Sequence, residues 1–97
     1  MPVYRILFSG CVQGVGFRAT CQHLAQRLPA LAGQVCNLSD GRVQLTARGT
    51  ADDVNRLVDL VREAFPGYID DVEQTELAPG DDPLPPGLSG VAIVRGR

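Results

Sequence analysis

The sequence is poor in the residues that mark many kinds of site. It has one histidine, no tryptophan, and three cysteines, Cys11, Cys21 and Cys36, without a CxxC spacing. No metal centre is therefore predicted, since structural zinc needs closely spaced Cys and His ligands. An odd number of cysteines leaves at least one thiol unpaired, and reduced thiols fit a cytoplasmic location. No apolar run approaches the roughly 20 residues of a membrane-spanning helix, and the opening MPVYRILF is too short for a signal peptide. An excess of basic charge is missing too. The net charge of −2, with two tyrosines and three phenylalanines as the only aromatics, argues against a nucleic-acid surface and against an RNA-stacking sheet. Finally, acids are missing from one region: no Asp or Glu occurs between Met1 and Leu38.

What is present is ordinary for a globular chain, with 44% hydrophobic and 21% charged residues over 97 positions. One domain, 1–97, is expected, monomeric, with no internal repeat. Its most informative stretch is Ser9 to Arg18, SGCVQGVGFR. An apolar run, Val3 to Phe8, precedes it and a helical pattern follows, so it reads as a strand-to-helix turn. Glycines at 10, 14 and 16 let the backbone bend and approach a ligand closely. The helix that follows has no Ser, Thr, Asp or Asn to cap its first amides. Open amides at a helix N-terminus attract anions, and Arg18 adds a fork that matches phosphate oxygens. The stretch lacks the GK[ST] of a nucleotide-binding P-loop and the GxGxxG spacing of a dinucleotide site. On glycines alone, an ordinary turn closed by a surface arginine fits as well.

Hydrophobic periodicity predicts the remaining elements. The first strand buries Tyr4, Ile6 and Phe8 on one face. A helix from Phe17 to Leu28 buries Phe17, Cys21, Leu24, Ala25 and Leu28, leaving His23 on the solvent side, and Pro29 stops it. Gly33 to Leu38 and Arg42 to Arg48 form a hairpin around Ser39-Asp40-Gly41. Thr50 caps a second helix running to Phe65, whose apolar stripe is Val54, Leu57, Val58, Val61 and Phe65. Ile69 to Leu77 is an acidic edge strand, Ala78 to Gly87 an irregular connection, and Val91 to Val94 a last short strand. The order β-α-β-β-α-β plus one strand predicts an α+β fold: a ferredoxin-like split βαβ sandwich with an antiparallel or mixed sheet of about five strands and two helices on one face.

Residues Gly10-Cys11-Val12-Gln13-Gly14-Val15-Gly16-Phe17-Arg18 resemble the first motif of the acylphosphatase family, GxVQGVxFR, at every fixed position. Gly33, Val35, Asn37, Gly41, Val43 and Gly49 resemble its second. Gln34 stands where the family usually has an aromatic, Cys36 replaces a longer residue, and the stretch around Pro29 to Leu31 is one residue longer. The resemblance implies hydrolysis of acyl phosphates to a carboxylate and inorganic phosphate, without metal or cofactor. It implies that Gln13, Gly14, Val15, Gly16, Phe17 and Arg18 bind the phosphate, and that Arg18 and Asn37 are catalytic, Asn37 holding the attacking water. Asn37 also fits a plain turn residue. Two alternatives of the same fold are a phosphate-binding module without turnover and the acylphosphatase-like domain of a carbamoyl-transferring maturation protein. The latter is expected to continue into cysteine-rich segments that this sequence lacks.

The chemistry agrees with the missing acids. The leaving group of an acyl phosphate is a carboxylate, whose acid ionises at about pH 4, so it needs no proton from the protein. An alkyl phosphate ester needs a general acid, and none is predicted beside the turn.

Overall fold

The computed structural model describes residues 1–96; Arg97, the last residue of the expected domain, lies outside them. The elements are β1 Val3–Gly10, α1 Phe17–Ala25, β2 Ala32–Asn37, β3 Val43–Arg48, α2 Ala51–Ala64, β4 Ile69–Leu77 and β5 Gly90–Ile93, with a short 3-10 turn at Pro79–Asp81. The strands form one sheet in the order β4-β1-β3-β2-β5. β1 and β2 both run antiparallel to β3, β4 runs antiparallel to β1, and β5 runs parallel to β2. The sheet is thus mixed, and the expected split βαβ arrangement is present.

Strand alternation separates the two faces of the sheet. Tyr4, Ile6, Phe8, Val35, Val43, Leu45 and Ala47 join Phe17, Cys21, Leu24, Val54, Leu57, Val58, Val61 and Phe65 in one apolar cluster. Their strand neighbours Arg5, Leu7, Gln34 and Gln44 stay outside it, so both helices cover the same face. Gln34 is half-buried on the uncovered face. A polar residue there costs the core nothing.

The second helix matches its expected start. Thr50 adopts an extended conformation and its hydroxyl accepts a hydrogen bond from the Asp53 N–H at 3.1 Å, while Asp52 and Asp53 face the positive end of the helix dipole. The first helix is shorter than its apolar pattern predicts. It ends at Ala25, because the N–H groups of Gln26, Arg27 and Leu28 bond three residues back, to His23, Leu24 and Ala25, tightening the chain ahead of Pro29. Leu28 still packs against the core from that turn. His23 is exposed. The first strand runs two residues further than expected, to Gly10, where its register with β4 shifts. Gly10 has φ +123°, and a Cβ there would collide with the Tyr68 carbonyl. Only glycine lets the chain leave the sheet at this point.

Cys21 is fully buried on α1, and burial pushes its thiol from 9.0 up to about 12. The folded chain therefore keeps a proton that the unfolded chain gives up above pH 9. That contribution to stability is intact below the unfolded value and is lost as pH rises from 9 towards 12. Cys21→Ser is expected to cost about 1–3 kcal/mol by burying a hydroxyl among apolar side chains, or about 4–8 °C in Tm for each kcal/mol. Thermal melts at neutral pH check this.

Candidate active site

The turn from Cys11 to Gly16 links β1 to α1, and its two ends are anchored differently. At the β1 end, the Cys11 N–H donates to the Tyr68 carbonyl at 2.9 Å. At the helix end, Phe17 is only 2% exposed, its ring edge-on to Phe8 at 5.0 Å and tilted against Phe65 at 4.8 Å. Val12, 1% exposed, plugs the middle of the turn into the core. Two buried apolar side chains thus hold a glycine-rich loop that has little packing of its own.

Gly16 is the N-cap of α1, in the left-handed conformation with φ 78° and no side-chain cap. The first intrahelical bond is donated by the Thr20 N–H to the Gly16 carbonyl at 3.0 Å. The amides of Phe17, Arg18 and Ala19 come before it and have no partner within the helix. No acid occupies the first turn. The same three residues, with Val12, Gly14, Gly16 and Ile93, line a cavity of about 150 Å³. That is room for about five waters at their liquid volume, more than a phosphate group needs. Two larger clefts, of about 530 and 370 Å³, lie elsewhere.

Arg18 is half-buried beside this cavity, and among the described residues it forms no ion pair. Asn37, the last residue of β2, follows Val35 on the face that the helices cover. Its Oδ1 is buried and makes no hydrogen bond among the described residues. Gln13 joins the two halves of the site. Its Nε2 donates to the carbonyls of Leu38 at 2.8 Å and Arg42 at 3.0 Å, tying the glycine turn to the hairpin immediately after Asn37. With both side-chain donors used there, Gln13 has only its backbone N–H left to donate to an anion. Phe17 is in the same position, its ring committed to the core.

Three contacts at the site have no signal in the sequence. Ile93 reaches the cavity because β5 pairs with β2, with Ile93 opposite Val35. Gly96 lies against Asn37 so closely that a Cβ would strike the Asn37 carbonyl. Gln13 meets its partners 25 and 29 residues away. All three follow from strand pairing. Conversely, Cys36 is adjacent to Asn37 in the chain but not to the cavity. Strand alternation turns it to the uncovered face, where it lines a different cleft and is 5% exposed. Of the three cysteines, Cys11 alone is exposed.

Acids remain outside the cavity. Asp40 is held below the usual carboxylate range by hydrogen bonds from the Arg42 side chain and N–H, with an Arg42 Nη2 to Oδ2 distance of 2.7 Å. Asp70 of β4 sits by Gly10 at the β1 end of the turn and does not line the cavity. Among the described residues no group of three or more His, Cys, Asp or Glu side chains is arranged to hold a metal ion. No helix among them is long and apolar enough to cross a membrane.

The family model described as Acylphosphatase matches residues 4–83. A curated acylphosphatase of Halorhodospira halophila is 41% identical over 85 residues, covering 88% of this chain and 89% of the relative. One of Gloeobacter violaceus is 42% identical over 86 residues, covering 89% and 86%. The crystal structure of acylphosphatase from Bacillus subtilis superposes with a TM-score of 0.78 at 36% identity, covering 97% of this chain and 99% of that one. Full-length HypF in its phosphate- and nucleotide-bound form gives a TM-score of 0.75 at 26% identity, but this chain spans only 12% of it.

Proposed function

The chain belongs to the acylphosphatase family, and from that premise we propose how its own residues hydrolyse acyl phosphates to a carboxylate and inorganic phosphate. The observation that carries the reading is the link made by Gln13. It ties an uncapped helix N-terminus bearing Arg18 to the hairpin of Asn37, whose buried Oδ1 has no partner among the described residues.

In this reading the amides from Gln13 to Arg18 and the Arg18 guanidinium hold the three non-bridging phosphoryl oxygens. Phosphoryl transfer is catalysed chiefly by positioning and charge stabilisation. Backbone N–H groups at a helix N-terminus supply both without rearranging during the reaction. Asn37 Oδ1 accepts a hydrogen from water, which turns a water lone pair towards phosphorus. The water oxygen forms a bond to phosphorus while the bond to the acyl oxygen breaks, its electron pair leaving with the carboxylate. One water hydrogen stays on the new P–OH and the other passes to a phosphoryl oxygen. An acyl phosphate dianion and water thus give a carboxylate and dihydrogen phosphate. No side chain need act as an acid, because a carboxylate is already a good leaving group at neutral pH. The same argument removes the need for a metal, and the whole chain, 1–97, works as one monomeric domain.

Phosphate release from benzoyl or acetyl phosphate tests the reading. Turnover is expected to persist in excess EDTA and to be inhibited competitively by phosphate or sulfate, which would occupy the same amides. Activity lost to the chelator and restored by one divalent metal would contradict it. Phosphate binding without turnover would make the protein a binding module instead.

A further inference from the structure

The face of the sheet that the helices leave uncovered carries a cleft of about 370 Å³ with no part in this chemistry. Its floor follows from strand register. Arg5 of β1 pairs with Thr46 of β3, and Thr46 with Gln34 of β2, making one row across three strands. Gln44 pairs with Cys36 to make the next. Residues two apart on a strand share a face, so all five lie on the side opposite the helices.

The walls come from the last part of the chain. Pro83 forms one, and Arg48 holds its segment over the sheet. The Arg48 guanidinium donates to Asp82 Oδ2 at 2.9 and 3.2 Å and to the Leu84 carbonyl at 3.1 Å. Val94 and Arg95 form the other wall, carried past the end of β5 by a 3.0 Å bond from the Val94 N–H to the Val35 carbonyl.

Unpaired charge distinguishes this cleft from plain surface. Thr46, a polar residue only 5% exposed, lines it. Arg42 and Arg48 each pair with an aspartate, whereas Arg5 and Arg95, which both line the cleft, pair with none among the described residues. Nearby acids stand at the margin. Asp82 is committed to Arg48, and Glu73 on the edge strand is in register with Leu7, not with Arg5.

We propose that this cleft binds a small multivalent oxyanion, a polycarboxylate or a phosphorylated metabolite. Two guanidinium groups bring charge and forked donors. The Gln34 and Gln44 amides and the Thr46 hydroxyl supply neutral donors to the remaining oxygens, on a floor free of carboxylates. The volume is at the small end of ligand-sized pockets, larger than a single phosphate needs.

The test is a titration of ¹⁵N-labelled protein followed by NMR, with citrate as the carboxylate probe and pyrophosphate as the phosphate probe. Saturable shifts are expected at Gln34, Gln44 and Thr46, including the two side-chain amides. In Arg18→Ala, which disables the cradle, the dissociation constant read at those positions should stay within about twofold. In the exposed-surface double variant Arg5→Gln, Arg95→Gln it should weaken at least about tenfold, the size of one lost charge-assisted contact. A response to one probe alone supports the site and identifies its ligand as carboxylate or phosphate. Shifts confined to residues 12–19, no saturable shift with either probe, or undiminished affinity in the double variant would overturn it.

Discussion

Arg18→Ala is expected to lower kcat by on the order of 10³-fold or more, the low end of what a positioned arginine contributes to phosphoryl transfer. Phosphate inhibition should weaken with it, because the same guanidinium meets the ground-state anion. A charge-assisted hydrogen bond is worth about 1.5–3 kcal/mol, equivalent to roughly ten- to a hundredfold in affinity. The fold should be unaffected: Arg18 is half-buried at the cavity rim, outside the apolar cluster, and makes no ion pair among the described residues. Arg18→Lys distinguishes charge from shape. An ammonium keeps the charge but not the planar fork, so little activity should return. Retention of most of the activity by Arg18→Lys would rule out bidentate binding and leave only a nearby positive charge. Circular dichroism of each variant, with steady-state rates on benzoyl phosphate, makes the comparison.

Asn37→Ala should separate water positioning from phosphate binding. The cradle is built from the turn and α1, and Gln13 reaches the hairpin through the Leu38 and Arg42 carbonyls, not through the Asn37 side chain. The phosphate inhibition constant should therefore stay near its original value. The rate should fall on the order of 10²-fold or more, as when one aligned polar group is removed from a transition state. Stability should barely change, since among the described residues the Asn37 Oδ1 makes no hydrogen bond that the substitution would break. If Asn37 merely closed the hairpin, the order would reverse, with about 1 kcal/mol of stability lost and kcat per folded molecule intact. A joint fall of kcat and phosphate affinity would instead put Asn37 in contact with the anion. Kinetics on the folded variant with phosphate as inhibitor distinguish all three.

Much of this protein is decided locally and can be read along the chain. Hydrophobic period marks the helix of Val54, Leu57, Val58 and Val61 and the strand of Tyr4, Ile6 and Phe8, because burial of one face is set by residue spacing. Thr50 specifies a helix start because its hydroxyl reaches an amide three residues on. The glycine turn and Arg18, proposed as an anion cradle, lie within ten residues of one another. Tertiary structure decided the rest. Residue spacing put Leu28 in the first helix, but the approach to Pro29 closes that helix early with bonds three residues back. Cys36 adjoins Asn37 in the chain, but strand alternation turns it to the other face. Gln13 becomes a tie between turn and hairpin, Ile93 a cavity wall and Gly96 a neighbour of Asn37 only when β2 and β5 find their partners. Those contacts join residues that chain entropy keeps apart until the apolar cluster forms. The proposed cradle therefore draws on a short stretch of sequence, while the setting of Asn37, at the end of β2 on the helix-covered face, belongs to the sheet.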